Sequence, residues 1–469
     1  NWRGGFPRIG LYAVSVRTPY SAEAKARLIS ASDHEVHGGH HSISQVRYGA
    51  RDHGIVAGSR VGVLHIYGDP SGTPDATLRN PQAQPLIRRE VVDTDGVIQR
   101  HPACRPSPVS YPSVDGTASD LIVGGECVLQ YYRSAGGKTS RPVYDPPEPV
   151  LEKDGAINGG SLPVLNVVDW DGDGMPDIVA GNSEGRILFF QNLGSEGRPS
   201  FSPGVPLEAG GEEIYVQPGY SENVQGPGEA RWGYTCPTVV DWNYDGLPDI
   251  VMSDCTARHT VFINRGTRSK PELEKGTPLY LDGLEIHGTW RVKPGVHDVD
   301  GQMAYVILDE DDELHLYWRI DNYNLRDGGK LLLEDGLAIR ANFPEAGGTG
   351  RLKLNLVDWD GDGLIDLIIG TPRHGSVPNP DTGLPQSLGL PGSAVLFLKN
   401  TGTNTSPVFD YPRLLHYRGN PVFLGQHSCG PAPAFFRAGE PPDLVVGREN
   451  GLFYYFSRSD ISFMQPSYP

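Results

Sequence analysis

The sequence is poor in sulfur and in long apolar runs. Among 469 residues there are 5 Cys and 4 Met. No apolar stretch is long enough to cross a bilayer as a helix, which excludes a helical membrane protein. No convincing amphipathic helix exceeds about three turns, which argues against bundles and layered α/β folds. Positive charge is also scarce: 40 Lys and Arg face 57 Asp and Glu, a formal net charge of -17. Such a chain is a poor general binder of nucleic acid or of an anionic membrane, so neither is expected as a partner. Any local concentration of basic groups is correspondingly informative. Gly (60) and Pro (41) are abundant. They cut the chain, with Asn and Asp, into alternating apolar stretches of about five to eight residues, the mark of many short strands.

Internal repetition is the strongest signal. A strand, an acidic or turn-rich bend, "D-[IL]-[IV]-V-x-G", a short turn and an aromatic strand recur along the chain. Seven units can be laid on one another, starting near His40, Ser110, Val167, Cys236, Val296, Leu354 and Pro441. The linkers repeat as well: "NLGSEGRPSFSPG", "NRGTRSKPELEKG" and "NTGTNTSPVFDYP" read as an outer fourth strand. The expectation is an all-β, seven-bladed β-propeller with calcium-binding loops between strands, formed by residues 1–469 as one domain. Its last blade needs an outer strand. The N-terminal "GFPRIGLYAV" resembles "FDYPRLLHYRG" and is one candidate for closing the ring; the tail "ISFMQP" is the other.

The bend of the third unit reads "DWDGDGMPD". Acidic oxygens at alternate positions, with Gly where the chain turns, suit a hard cation that takes six to eight oxygen ligands. The candidate ligands are Asp169, Asp171, Asp173 and Asp177 in the third unit, Asp241, Asn243, Asp245 and Asp249 in the fourth, and Asp358, Asp360, Asp362 and Asp366 in the sixth. The fifth keeps only Asp298 and Asp300. The motif resembles the calcium loop of FG-GAP and VCBS propeller repeats. That resemblance covers most of the chain and implies a structural Ca²⁺ pinning the bend between two strands; the other reading is a hydrogen-bonded acidic turn without an ion.

Cys236 and Cys255 flank one such loop, and Cys104 and Cys127 flank the matching region of the second unit. Their matched placement points to two disulfides, with Cys429 left over, against five buried thiols as the alternative. Together with a chain that begins at Asn1, this leads to the expectation of a secreted, monomeric protein whose leader has been removed.

Basic and imidazole groups gather just before the acidic bends, where a propeller's first strands face the central channel. They include His41, His101, Arg231, His287, Arg291, Arg351, Lys353 and His427, with Asn158 there and Asn182 and Arg448 in the turns after second strands. Arg231, Arg291 and Arg351 are spaced 60 residues apart. A basic channel mouth in an acidic chain favours an anionic ligand, and the Arg fork suits a carboxylate. Neutralising a uronate carboxylate makes the neighbouring C5 proton removable, and a Tyr or His can act as base and acid in a β-elimination. Tyr215, Tyr234 and His287 are the candidate proton carriers, with Arg231 and Arg291 on the carboxylate. His41, His101, Asn158, Asn182, Arg351, Lys353, His427 and Arg448 are the candidate substrate contacts.

The placement of Tyr215, Arg231 and Arg291 is similar to that of secreted seven-bladed polysaccharide lyases of the ulvan lyase and rhamnose–glucuronate lyase type. This resemblance implies a lyase acting on an anionic, uronate-containing polysaccharide. The chain departs from that pattern where a His pair belongs, offering Asn158 and Asn182 instead. Two other readings stand beside it. A non-catalytic glycan-binding or adhesion propeller would repeat aromatic platforms blade by blade. A hydrolase would need a carboxylate pair, for which Asp254, Asp309 and Glu310 are the only candidates near second-strand ends.

Overall fold

The structure is a computed structural model of the 469-residue chain. It describes the chain apart from residues 1–7, 10–11, 14–26, 29–35, 38–42, 49–52, 60–61, 69–86, 102–105, 114–115, 117, 126–128, 136–141, 151–156, 218–231, 341–349, 373–375, 379–384, 388–391, 425–427 and 466–469. Among the described residues every regular element is a strand except one 3₁₀ turn, Arg458–Asp460. The chain divides into two compact units, Asn1–Gly155 and Ala156–Pro469.

The first unit holds two four-stranded antiparallel sheets. One runs Ile43–Arg47, His53–Gly58, Leu64–Gly68, Ile87–Glu90, the other Ser107–Pro112, Ser119–Gly124, Leu129–Tyr132, Glu148–Pro149. They share a core of Val56, Leu64, Ile66, Leu121, Val123 and Tyr132. The N-terminal strands pair nearby: Arg8–Ile9 with Val36–His37, and Tyr12–Ala13 with Arg27–Leu28.

The second unit carries the third to seventh repeats, each as one sheet. Their first strands are Val164–Val168, Cys236–Val240, Gly295–Val299, Lys353–Val357 and Gly430–Ala434. Second strands such as Asp177–Gly181, Asp249–Ser253 and Asp366–Gly370 are buried at every position, as the runs "DIVAG", "DIVMS" and "DLIIG" require. The first strands neighbour one another in chain order, and the last neighbours the first. Side chains stitch the seams. Asn166 Nδ2 donates to Pro237 O (2.9 Å), Thr238 Oγ1 to Pro294 O (2.5 Å) and Asn355 Nδ2 to Pro431 O (2.9 Å).

Five apolar cores lie between consecutive sheets. The fifth joins Leu165, Ile178, Ala180 and Phe190 of the third repeat to Ala432, Ala434 and Val445 of the seventh. Within the second unit the five sheets therefore close into a ring. The closing seam is tight because Gly430 and Gly447 leave room for Pro163 O; a Cβ on either would stand 2.6 or 2.5 Å from that oxygen.

The outer-strand expectation also changes. The tail Ile461–Met464 pairs with Arg413–Tyr417 and extends the sixth repeat's sheet. The seventh repeat's sheet has three strands among the described residues. Cys236 and Cys255 are buried and are not joined in a disulfide. In the register Cys236 lies opposite Ser253, so Cys255 falls beyond the end of the paired strand. Cys429 is likewise buried, and Cys104 and Cys127 lie outside the described residues.

Candidate functional site

The last Asp of each acidic bend holds the sheet together. Asp177 accepts from Trp170 N (3.0 Å) and Asn192 N (2.8 Å). Asp249 does the same with Trp242 N and Asn264 N, and Asp366 with Trp359 N and Asn400 N. Burial pushes all three carboxyls up to about 6.

The three loops differ in what remains. In the third repeat, oxygens of Asp169, Asp171 and Asp177 lie within 4.8 Å of one another. Asp169 Oδ1 is buried without a hydrogen-bond partner. In the fourth, Asn243 Nδ2 donates to Asp245 Oδ2 (2.8 Å), and both Asp241 oxygens accept backbone N–H groups. Tyr244 stands there at φ 64°, a left-handed conformation that Gly adopts freely in the other two loops. In the sixth, Asp358, Asp360 and Asp366 form a similar cluster, but Lys399 reaches Asp360 and Asp362. The fifth repeat has no such loop. Asp300 and Gly301 (φ 52° and 83°) make a two-residue hairpin turn of the type that matches strand twist.

Lysines fill the middle of the ring. Lys293 Nζ donates to Leu165 O (3.0 Å) and Asn355 Oδ1 (2.5 Å), joining the fifth, third and sixth repeats. Lys353 Nζ donates to Arg291 O (2.6 Å) and Arg351 O (3.2 Å). Burial pulls Lys293 down to about 7 and Lys353 to about 8. Lys353, a candidate substrate contact, is thus a buried strut whose ammonium is taken up by carbonyls.

Two residues before the first inward position of four of the five blades, the third to the sixth repeat, the backbone turns left-handed at Leu162, Tyr234, Arg291 and Arg351. Val164, Cys236, Lys293 and Lys353 follow at the matching inward positions. Arg291 and Arg351 are therefore the counterparts of Tyr234, and the 60-residue spacing from Arg231 does not mark equivalent places. Arg231 itself lies outside the described residues.

These entry residues meet. The Arg291 guanidinium carbon stands 3.4 Å from the Tyr234 ring centroid and 4.9 Å from that of Trp290; Arg351 stands 5.3 Å from Trp290. Tyr234 and Trp290 are themselves edge to face at 6.3 Å. Arg291 is only 5% exposed, and no carboxylate pairs with it among the described residues. Its backbone N–H donates to Asp254 O (3.3 Å). The Asp254 carboxylate is buried, which raises its pKa, and accepts from Thr256 N and Oγ1. Trp290 carries this arrangement and sequence reasoning passed over it; an aromatic directly before the Arg was the available signal.

The remaining candidates are placed as follows. His287 has its side chain 52% exposed, with Nε2 3.9 Å from Glu285. Tyr215 is 40% exposed and lies under Arg186 (4.6 Å), which is ion-paired with Glu184 and Glu213. Asn182 is a buried turn brace: Nδ2 donates to Gly159 O, and Oδ1 accepts from Gly185 N and Arg186 N. Asn158 Oδ1 accepts from Gly160 N. Arg448 Nη1 donates to the Tyr454 hydroxyl. His101 is buried within the first unit, Nε2 3.0 Å from Val123 O. His41 and His427 lie outside the described residues. Of the hydrolase candidates, Asp309 is tied to His315 and Lys330 and is no free partner for Asp254.

The FG-GAP-like repeat family matches residues 169–252, the third repeat from its acidic bend onward and the first strand, bend and second strand of the fourth up to Met252. No curated protein matches the chain. Solved structures with some likeness include an Agrocybe aegerita lectin specific for non-reducing terminal N-acetylglucosamine (16% identity, 88% of this chain and 90% of that one, TM-score 0.26). A Burkholderia pseudomallei lectin (11%, 92% and 98%, 0.31) and an Aleuria aurantia lectin (9%, 92% and 97%, 0.29) are similar to about the same degree. Likeness at this level carries no argument about what this chain binds. The chain is an all-β protein of β-propeller type that resembles the FG-GAP-like repeat family over those 84 residues.

Proposed function

We propose that the protein recognises an anionic, uronate-bearing glycan at the mouth of the five-sheet ring, with Arg291 as the anchor. One observation carries this reading: Arg291 is buried against Tyr234 and Trp290 with no carboxylate partner among the described residues, in a chain with 17 more acidic than basic groups. A desolvated guanidinium without a counter-ion is costly, and a bound carboxylate relieves that cost with charge-assisted hydrogen bonds. Tyr234 and Trp290 fix the guanidinium plane in advance. The test is calorimetric titration with uronate oligosaccharides and their carboxyl-reduced counterparts. The uronate form should bind at least about tenfold tighter, a difference of about 1.4 kcal/mol. Equal binding of both forms refutes the reading.

Calcium belongs to this proposal at the third repeat. Asp169, Asp171, Asp173 and Asp177 would hold it, and the buried unsatisfied Asp169 Oδ1 fits that role. The ion would neutralise the loop and pin the bend between two strands. Calcium at the millimolar level of an extracellular setting is sufficient for such a role.

A second reading, β-elimination by a polysaccharide lyase, draws on the contact of Tyr234 with Arg291. A carboxylate on Arg291 would bring the sugar's acidic carbon near a phenol able to move a proton. The expected product is an unsaturated uronate, read by its ultraviolet absorbance on incubation with ulvan, gum arabic or glucuronan. Binding without that absorbance would leave the protein a glycan-binding propeller.

A further inference from the structure

The acidic loop occurs three times, and one position beside it changes its charge between copies. The residue before the Asn that donates its N–H to the last Asp is Gln191 in the third repeat, Ile263 in the fourth and Lys399 in the sixth. Building on the calcium reading, we infer that Lys399 is the resident cation of the sixth loop. Its ammonium stands where a metal ion would, so that residues 169–177 form the loop that needs calcium.

Partners of the oxygens carry the argument. Lys399 Nζ contacts Asp360 and lies 2.8 Å from Asp362 Oδ2. The Asp358 carboxylate is taken by the N–H groups of Gly361, Asp362 and Gly363, and that of Asp366 by Trp359 and Asn400. Asn404 braces the loop from behind, accepting from Ile365 N and donating to Gly363 O. In the third loop Gln191 Nε2 donates to Asp171 Oδ2 (2.8 Å) and brings no charge. Arg268 pairs with Asp169 Oδ2 (3.0 Å) from an exposed side and leaves Oδ1 buried and unmatched. The fourth loop needs no cation at this place, since an amide replaces one acid and donates to another.

The same device appears elsewhere in the ring. Asp309, Asp311 and Glu313 form a third acidic cluster, and Lys330 Nζ reaches all three at 3.3, 2.9 and 2.5 Å. Of the three clusters, the one in the third repeat alone has no lysine bridging its carboxylates. A bridging ammonium lowers the net charge offered to a metal, and that charge sets calcium affinity.

The experiment compares wild type, Lys399→Gln and Gln191→Lys by calcium titration calorimetry and by melting in chelator. Wild type should take up one calcium per chain, Lys399→Gln two, and Gln191→Lys none. In chelator, Lys399→Gln should melt at least about 2 °C below wild type, and calcium should restore the loss. Unchanged stoichiometry together with unchanged melting in Lys399→Gln overturns the inference. If wild type binds no calcium, the calcium reading of the third loop fails by itself. The chelator melting then decides on Lys399: a loss supports the resident ammonium and no loss refutes it.

Discussion

The same repeat meets two different fates along this chain. In the first unit the first strands of both sheets are open: Ile43 is 54% exposed on one and Val109 56% on the other. In the second unit every first strand is largely buried, Val164, Leu165, Cys236, Leu354 and Ala432 among its residues. The strands are alike in length, and the ring strands Gly295–Val299 and Gly430–Ala434 are no richer in apolar residues than Ile43–Arg47. What differs is the number of neighbours. Within the first unit two sheets share one core, whereas within the second five close a circle and each is covered on both sides. Burial of an inner strand is thus a property of the ring and not of the strand.

Blocking the closing seam should have the largest effect. Gly447→Val places side-chain atoms against Pro163 O, where even a Cβ stands 2.5 Å away. A loss of about 3 kcal/mol or more is expected, visible as a lower denaturant midpoint. A midpoint within about 0.5 kcal/mol of wild type would mean that the ring does not close there.

How far the sequence foretold this divides along the same line. The repeats were legible because most carry local chemistry: an acidic or turn-rich bend, then a buried "D-[IL]-[IV]" strand. The closing seam of the ring was not, because closure rests on a contact between Pro163 and two glycines far along the chain. The basic entry residues were found, but counting 60 residues back from Arg291 reached Arg231, not Tyr234. Loop lengths vary between blades, and the left-handed turn that precedes the inward residue in four of the five marks true equivalence among them. Lys353 read as a ligand contact because lysine is rarely buried; carbonyls at the ring's centre, which no local pattern announces, take up its charge.

A paired substitution sharpens the comparison further. Leu165→Thr in a ring strand should cost about 2 kcal/mol, while Val109→Thr in the first unit should fall within about 0.5 kcal/mol of wild type. Similar losses at both sites would erase the distinction between covered and open inner strands.

Smaller in size is a pH effect confined to the ring. Lys293 and Lys353 have pKa values lowered to about 7 and about 8 by burial, so the folded chain has lost protons that the unfolded chain still holds. Stability should therefore rise with pH between about 7 and 8.5, by up to about 1.4 kcal/mol per pH unit for each group. Above that window the buried thiols of Cys236 and Cys429, raised by burial, act in the opposite sense. Chemical denaturation across the window reads the slope, and Lys293→Met should flatten it. A slope unchanged by that substitution would place the titration elsewhere.

The central claim is that Arg291 waits for an anion. Titrating a uronate oligosaccharide into wild type and Arg291→Gln, with melting curves to verify folding, tests it most directly. The account predicts that Arg291→Gln stays folded and loses at least about tenfold in affinity, the difference shrinking as salt is raised. A folded Arg291→Gln protein that binds the oligosaccharide as wild type does would contradict it.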